Sequence, residues 1–191
     1  MTSSPPRILV VEDETELAEL FAEWLSEEYD VEVATSGEEA LKLVDEDTDI
    51  VLLDRLIPGI SGDEVLETIR ERGCSCRVAM VTAVEPDFDV LDMGFDDYVV
   101  KPLFRKDIQR LVEGLLERDA YDRHLSEFFA AASKLAALES HKKGDELANN
   151  EEYQRLKEKL DQTRERVEAL ESEMSEGNFE AVFYDFNRVD L

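Results

Sequence analysis

What most limits the folds open to this chain is a set of short, unbroken apolar runs separated by helical periods. Ile8 to Val11, Ile50 to Leu53 and Val78 to Val81 are free of polar residues, Tyr98 to Val100 is a shorter run, and Val31 with Val33 marks one more brief strand. Runs of this length suit strands buried on both faces. The intervening stretches change period. Leu17, Leu20, Phe21, Trp24 and Leu25 share one helical face, and Ser36-Gly37-Glu38-Glu39 reads as an N-cap with acids in the first turn ahead of Ala40, Leu43 and Val44. Ser61 to Arg72 is helical with Val65, Leu66 and Ile69 inward, and a short helix is predicted around Val90 to Met93. Strands and helices alternating in this way imply βαβ units, right-handed crossovers and a parallel sheet, an α/β class.

The polar residues that end these runs fall at carboxyl ends of strands, where open parallel sheets bind ligands. Glu12 and Asp13 follow the first strand and Asp54 the third. If those strands are neighbours, three carboxylates converge and each disfavours ionisation of the others. A divalent cation relieves that repulsion. Mg²⁺ takes hard oxygen ligands and keeps waters and phosphate oxygens in its shell, so the set suits Mg²⁺-assisted phosphoryl transfer to a carboxylate nucleophile. Thr82, ending the fourth strand, offers a hydroxyl, and Lys101, ending the fifth, an ammonium, both suited to incoming phosphoryl oxygens. Lys101-Pro102 is a candidate cis bond. Taken singly, each residue has a bland alternative as a helix cap or solvated loop residue. Five features ending the proper strands in the proper order form a conjunction that chance rarely supplies.

On these residues the chain resembles the response regulator receiver family. The resemblance rests on Ile8-Leu-Val-Val-Glu-Asp-Glu14, Asp49-Ile-Val-Leu-Leu-Asp54 with Pro58-Gly59 and Ser61-Gly62, Val81-Thr82-Ala83, and Gly94-Phe-Asp-Asp-Tyr-Val-Val-Lys-Pro102, and covers about residues 7 to 118. It implies a flavodoxin-like, doubly wound, five-stranded parallel sheet of order 2-1-3-4-5. It implies a phosphoacceptor at Asp54 and a Mg²⁺ site formed by Glu12, Asp13, Asp54 and the backbone carbonyl of Leu56. It places the signalling hydroxyl at Thr82 with Ala83 beside it, the rotating aromatic at Tyr98 and the phosphate-binding lysine at Lys101. The implied donor is a sensor histidine kinase, and the chemistry is self-catalysed phosphotransfer and dephosphorylation rather than that of a metabolic enzyme. The rival, a Mg²⁺-dependent aspartyl-phosphate phosphatase, is disfavoured because Leu56 stands where such enzymes often place a second catalytic Asp. Three residues depart from the common pattern: Glu12 where Asp is more usual, Arg55 directly after Asp54, and Glu85-Pro86 after the threonine. Arg55 either lies over the site, altering phosphoryl lifetime, or is solvated.

From Phe104 the pattern is helical and uninterrupted by proline. Ile108, Leu111, Val112, Leu115 and Leu116 form one stripe, continued by Leu125, Phe128, Phe129, Ala132 and Leu135. The last helix of the first domain is therefore expected to run into a second, all-α module, with domains at 1–120 and 121–191. A turn is predicted within Ser140 to Asn150. Tyr153, Leu156, Leu160, Thr163, Val167, Leu170 and Met174 then recur as a heptad seam broken only by Thr163. The seam can close on the stripe from Leu125 to Leu138 as a helical hairpin. Phe179, Val182, Phe183 and Phe186 remain as further apolar surface, so Tyr153, Leu156, Leu160, Val167, Leu170, Met174, Phe183 and Phe186 are the expected oligomer or partner face. Tyr121-Asp122, Leu125-Ser-Glu-Phe-Phe129, Lys134-Leu-Ala-Ala-Leu-Glu139 and Glu152-Tyr153 with Leu156 resemble the HalX domain that follows receivers in haloarchaeal regulators. Phosphorylation of Asp54 is expected to draw in Thr82 and let Tyr98 turn inward, remodelling the face from which the long helix starts.

Charge bears on the partners. The formal net charge is −27, of which residues 1–120 carry −20 and residues 121–191 carry −7. The acid is spread along the chain, which suits a halophilic protein, since ~1 M salt screens self-repulsion beyond roughly 3 Å. Such a surface repels nucleic acid and anionic lipid. With no basic recognition helix in view, a homodimer or protein contact is favoured over DNA binding by the second module. Cys74 and Cys76 cannot complete a zinc site by themselves and read as a reduced pair. No apolar run approaches the ~20 residues of a membrane span, and a cytoplasmic location is expected.

Overall fold

The computed structural model describes residues 4–142 and 144–173. Five strands, β1 (Arg7–Val11), β2 (Asp30–Ala34), β3 (Ile50–Leu53), β4 (Arg77–Thr82) and β5 (Asp97–Val100), pair in parallel in the order β2-β1-β3-β4-β5. The apolar runs read from the sequence are the strands with both faces covered. Every residue of β3 is buried, whereas the edge strand β2 alternates exposed with partly buried positions up to Ala34.

The period-2 geometry of a strand divides these residues between two cores. Leu9, Val11, Val51, Leu53, Val78 and Met80 face one side and meet Ala40 of α2 (Gly37–Leu43) and Val65, Leu66 and Ile69 of α3 (Gly62–Glu71). Ile8, Val10, Ile50, Leu52, Ala79 and Val81 face the other. They meet Phe21 and Leu25 of α1 (Thr15–Leu25) and Ile108, Val112 and Leu115 of the long helix α4 (Arg105–His141). Each of the valine, leucine, isoleucine, methionine and phenylalanine side chains among them withdraws apolar area worth about 1.5–3 kcal/mol from water. The buried thiol of Cys76, raised by burial to about 11, packs in the first core, and Cys74 is also a free thiol.

Local signals fix the helix starts. Ser36 caps α2 by accepting from the Glu39 amide, and Ser61 and Glu64 form a reciprocal capping box at α3. Gly62 is required by close approach, because a Cβ there would lie 2.2 Å from the Asp54 carbonyl oxygen. The short helix expected around Val90 to Met93 lies in the crossover from β4 to β5. It is a 3-10 segment, Phe88–Asp92, with no buried residue. Pro86 just upstream biases its predecessor toward extended backbone, and Val90, Leu91 and Met93 offer too few apolar positions for a packed helical face.

The amino-terminal edge of the sheet is closed by charge. The Arg7 amide donates to Asp49 at 2.8 Å while its guanidinium pairs with Asp45 and Glu32. Asp96 sits between Arg70 and Arg77, each at 2.8 Å, and accepts from the Val78 amide at 2.7 Å.

The chain divides into two compact units between Leu116 and Glu117, a point inside the 37-residue helix α4. In the second unit the chain turns through α5 (Gly144–Ala148) into α6 (Glu151–Glu173). The Tyr153 hydroxyl donates to Glu139 at 2.7 Å, and the Arg164 guanidinium lies 5.8 Å from the centre of the Phe128 ring. These partners run in opposite order along the two helices, which therefore form an antiparallel hairpin. Tyr153, Leu156, Leu160, Val167 and Leu170 are half-buried and Thr163 fully so, its hydroxyl donating to the Lys159 carbonyl at 2.7 Å. On the stretch of α4 within this unit the buried positions are Arg118, Ala131 and Leu135, whereas Phe129, expected on the inward stripe, is half exposed and packs edge-on against Phe128. Met174, Phe179, Val182, Phe183 and Phe186 lie outside the described residues.

Candidate functional site

The ladder of the sheet continues one residue past each strand and so fixes the groups at its carboxyl edge. The Glu12 amide donates to Ala34, the Asp54 amide to Val11 and the Lys101 amide to Thr82, at 2.8 to 3.0 Å. Because β1 and β3 are neighbours, Glu12, Asp13 and Asp54 converge, with carboxylate oxygens within 4.8 Å of one another. Glu12 and Asp54 are buried and Asp13 is exposed, so the hollow opens on its Asp13 side.

Lys101 crosses to this hollow from the end of β5. Its ammonium donates to Asp54 at 2.5 Å and also to Glu12. The Lys101-Pro102 peptide is cis. Thr82 is completely buried, and its hydroxyl oxygen accepts from the Val84 amide at 3.4 Å. The Leu56 amide donates to the other Asp54 oxygen at 3.0 Å, while the Leu56 side chain is exposed and Ala83 is also exposed.

The electrostatics separate the two buried acids. Burial pushes the Asp54 carboxyl up, but the Lys101 ammonium, the Leu56 amide and the Thr82 hydroxyl outweigh it and hold the group below the usual aspartate range. For Glu12 burial dominates, and its carboxyl is raised despite Lys101. Burial works against the Lys101 ammonium, yet hydrogen bonds to Asp54 and Glu12 raise its affinity for the proton. Asp54 is therefore the ionised, hydrogen-bonded carboxylate of the set. The three acids supply only hard oxygen donors, the chemistry that Mg²⁺ selects.

Tyr98 is half-buried beside Phe95, with ring centres 5.5 Å apart, and its hydroxyl donates to the Val84 carbonyl at 2.9 Å. Arg55 is not solvated. Its side chain, 13% exposed, forks onto Asp63 at the start of α3, with contacts of 2.9 to 3.1 Å, and reaches Asp89 of the 3-10 segment. Asp63, Asp89 and the Val84 carbonyl carry no mark in the sequence. Among 48 acids nothing distinguishes these two aspartates until the fold brings them to Arg55.

The model of the response regulator receiver domain matches residues 8–113, and that of the HalX domain residues 117–183. The chain belongs to the response regulator receiver family. A putative transcriptional regulator of Haloferax volcanii is 46% identical over 167 residues, covering 87% of this chain and 27% of that protein. The alkaline phosphatase synthesis transcriptional regulatory protein PhoP of Bacillus subtilis is 34% identical over 146 residues, covering 74% of this chain and 55% of that one. The chain thus spans about a quarter of the first relative and about half of the second.

Among solved structures, the response regulator TrrA of Thermotoga maritima, in complex with Mg²⁺ and a beryllofluoride, is 37% identical with a TM-score of 0.51. It covers 58% of this chain and 98% of its own. A CheY-like receiver of Methanospirillum hungatei is 29% identical with a TM-score of 0.54, covering 60% and 96%. The receiver fold and strand order expected from the sequence are those observed. Among the described residues no helix is long and apolar enough to cross a membrane.

Proposed function

We propose that this chain is a phosphorylation switch in which Asp54 accepts a phosphoryl group from a sensor histidine kinase and the helical hairpin delivers the output. The observation that carries the reading is the convergence of Glu12, Asp13 and Asp54 within 4.8 Å, with the Lys101 ammonium on Asp54. An Asp54 oxygen forms the new bond to phosphorus as the phosphorus–nitrogen bond of the donor histidine breaks, and the imidazole leaves with the electron pair and takes a proton. The low proton affinity of Asp54 keeps the nucleophile ionised. Lys101 and the Thr82 hydroxyl stand where they can receive phosphoryl oxygens. Glu12, Asp13, Asp54 and the Leu56 carbonyl would hold Mg²⁺, which when bound supplies charge neutralisation between carboxylates and phosphate. Tyr98, tied to the Val84 carbonyl two residues after Thr82, relays the change toward β5 and the start of α4. The chain then acts as a signalling protein whose only chemistry is its own phosphorylation and dephosphorylation, and it works in the cytoplasm.

For the output unit, taken as residues 121–191 beside a receiver of residues 1–120, we favour contact with protein, including a second copy of the chain, over direct contact with DNA. A groove of about 550 Å³ at the turn of the hairpin has Ala137, Leu138, Leu147 and Leu156 in its lining. Residues 121–191 carry a net −7, which opposes the phosphate neutralisation that DNA binding needs. The relatives named as transcriptional regulators support control of transcription as the downstream result. The deciding experiment for the receiver is incubation with Mg²⁺ and a small-molecule phosphate donor, read by intact mass. Wild type gains one phosphoryl group and the Asp54→Asn variant none; equal labelling of both rejects the assignment.

A further inference from the structure

The crossover Ala83 to Asp96 has a weak apolar anchor. Its 3-10 segment, Phe88–Asp92, buries no residue, and Phe88 and Leu91 are 85% and 63% exposed. Met93 and Phe95 pack against the first core, the Gly94 carbonyl accepts from Arg70 at 2.7 Å, and Asp96 pairs with Arg70 and Arg77, all at its far end toward β5. Near β4 the Val84 carbonyl accepts from Tyr98, and Asp89 in the 3-10 segment meets Arg55, which follows Asp54 at the end of β3.

Arg55 is itself held on two sides. Its backbone carbonyl accepts from the Gly62 amide at 3.1 Å, and its guanidinium lies flat on Asp63 with both Nε and Nη2 engaged. Such a forked pair is pre-organised, and a lysine cannot reproduce it. Being only 13% exposed, the guanidinium is also less screened by salt than a surface pair.

We propose that Arg55 is a positioning residue that clasps the β4–β5 crossover to the first turn of α3, holding it in register with the residue Arg55 follows, Asp54. Asp63 fixes the base of the clasp. Asp89 is the catch on the crossover, whose start the Tyr98 hydroxyl ties to β5 by donating to the Val84 carbonyl. The clasp rests on the reading of Asp54 as phosphoacceptor only for its consequence, namely that Thr82, Val84 and Tyr98 stay correctly placed for a phosphoryl group.

The test uses the full chain and has two arms. In the first, with no phosphate analogue present, amide exchange is followed at Val90 and Met93, whose amides bond Asp87 and Val90. Arg55→Ala and Asp89→Asn should each speed exchange there about tenfold, corresponding to loss of one charge-assisted hydrogen bond. Leu9 and Val51 in the central strands should not change, and Arg55→Lys should recover part of the protection. In the second arm, Mg²⁺ with beryllofluoride is titrated, and Arg55→Ala should bind it several-fold more weakly than wild type. Wild-type exchange at Val90 and Met93 in Arg55→Ala, or an increase matched at Leu9 and Val51, overturns the clasp. Unchanged beryllofluoride affinity overturns its link to Asp54. If wild type itself takes no beryllofluoride, the phosphoacceptor reading fails, while the first arm still decides the clasp.

Discussion

Replacing Gly62 by alanine tests how tightly the site is built into the fold. Gly62 opens α3, and a Cβ on it would lie 2.2 Å from the Asp54 carbonyl oxygen, 3.0 Å from the Asp54 carbonyl carbon and 2.8 Å from the Arg55 Cα. All three are backbone atoms at the end of β3 and cannot rotate away. Restoring ordinary contact requires α3 to withdraw by about 1 Å. That movement stretches the 3.1 Å bond from the Gly62 amide to the Arg55 carbonyl and pulls Asp63 from the Arg55 fork. Overpacking against fixed backbone costs about 2–3 kcal/mol, well above the gain of up to ~1 kcal/mol that alanine brings to a helix. Gly144, in the second unit, supplies the control, since a Cβ there meets nothing within 4 Å, and its alanine variant should leave the receiver transition unchanged. The single tryptophan, Trp24, packs against Phe21 in the receiver, so its fluorescence during urea denaturation reports that unit. A Gly62→Ala variant within about 0.5 kcal/mol of wild type would show that α3 is not pressed on the strand end as described.

Three further perturbations address the charge of the hollow and the seam of the hairpin. Lys101→Met leaves Glu12 and Asp54, 4% and 9% exposed, without their ammonium; the receiver should lose about 3–5 kcal/mol in metal-free urea denaturation and recover part of it in MgCl₂, and equal losses in both buffers would contradict the placement. Acidification should separate the two buried acids. The depressed Asp54 contributes stability that is lost as pH falls through its folded value, whereas the raised Glu12 binds its proton more readily folded than unfolded and so offsets that loss just above the ordinary carboxylate range. Glu12→Gln should therefore show a steeper fall of urea midpoint on acidification than wild type, and an unchanged slope would refute the assignment. Lys101, with its raised value, contributes stability that is complete below its unfolded value and disappears only as strongly alkaline pH passes its folded one. Thr163→Val should leave the hairpin unharmed or stabilise it by up to ~1 kcal/mol, because the buried hydroxyl only reinforces the Lys159 carbonyl of its own helix; a marked loss of helical circular dichroism on mild heating would instead make that hydroxyl structurally necessary.

What could be read beforehand followed from periodicity and from polar stops. Ile50 to Leu53 can be little but a strand covered on both faces, and the ends of the runs place Glu12, Asp54, Thr82 and Lys101 on one edge once the sheet is parallel. Side-chain partners across crossovers were not legible. Arg55 reads equally as a lid or a solvated residue until Asp63 and Asp89, eight and thirty-four positions away, are seen on its fork. The crossover Ala83 to Asp96 misleads because Val90, Leu91 and Met93 imitate one turn of an apolar face, while Glu85-Pro86 and four nearby aspartates leave too little to bury. On α4, Phe128 and Phe129 are alike in composition, and the inward choice of Ala131 over Phe129 depends on how closely α6 approaches.

The ion pairs at the amino-terminal edge of the sheet separate two kinds of damage in space. Arg7 with Asp45, Glu32 and Asp49, and Asp96 between Arg70 and Arg77, lie one strand length, about 17 Å, from the carboxyl edge that bears Asp54. Glu12, Asp13, Asp54 and Lys101 take no part in them. Sequence variation among natural or selected versions of this chain can thus sort by height on the sheet: changes at the lower rim act on the amount of folded protein alone, whereas changes at the upper rim act on stability and on the carboxylate hollow together. A chain divided this way can exchange its lower-rim charges, as a shift in ambient salt would favour, without altering the hollow.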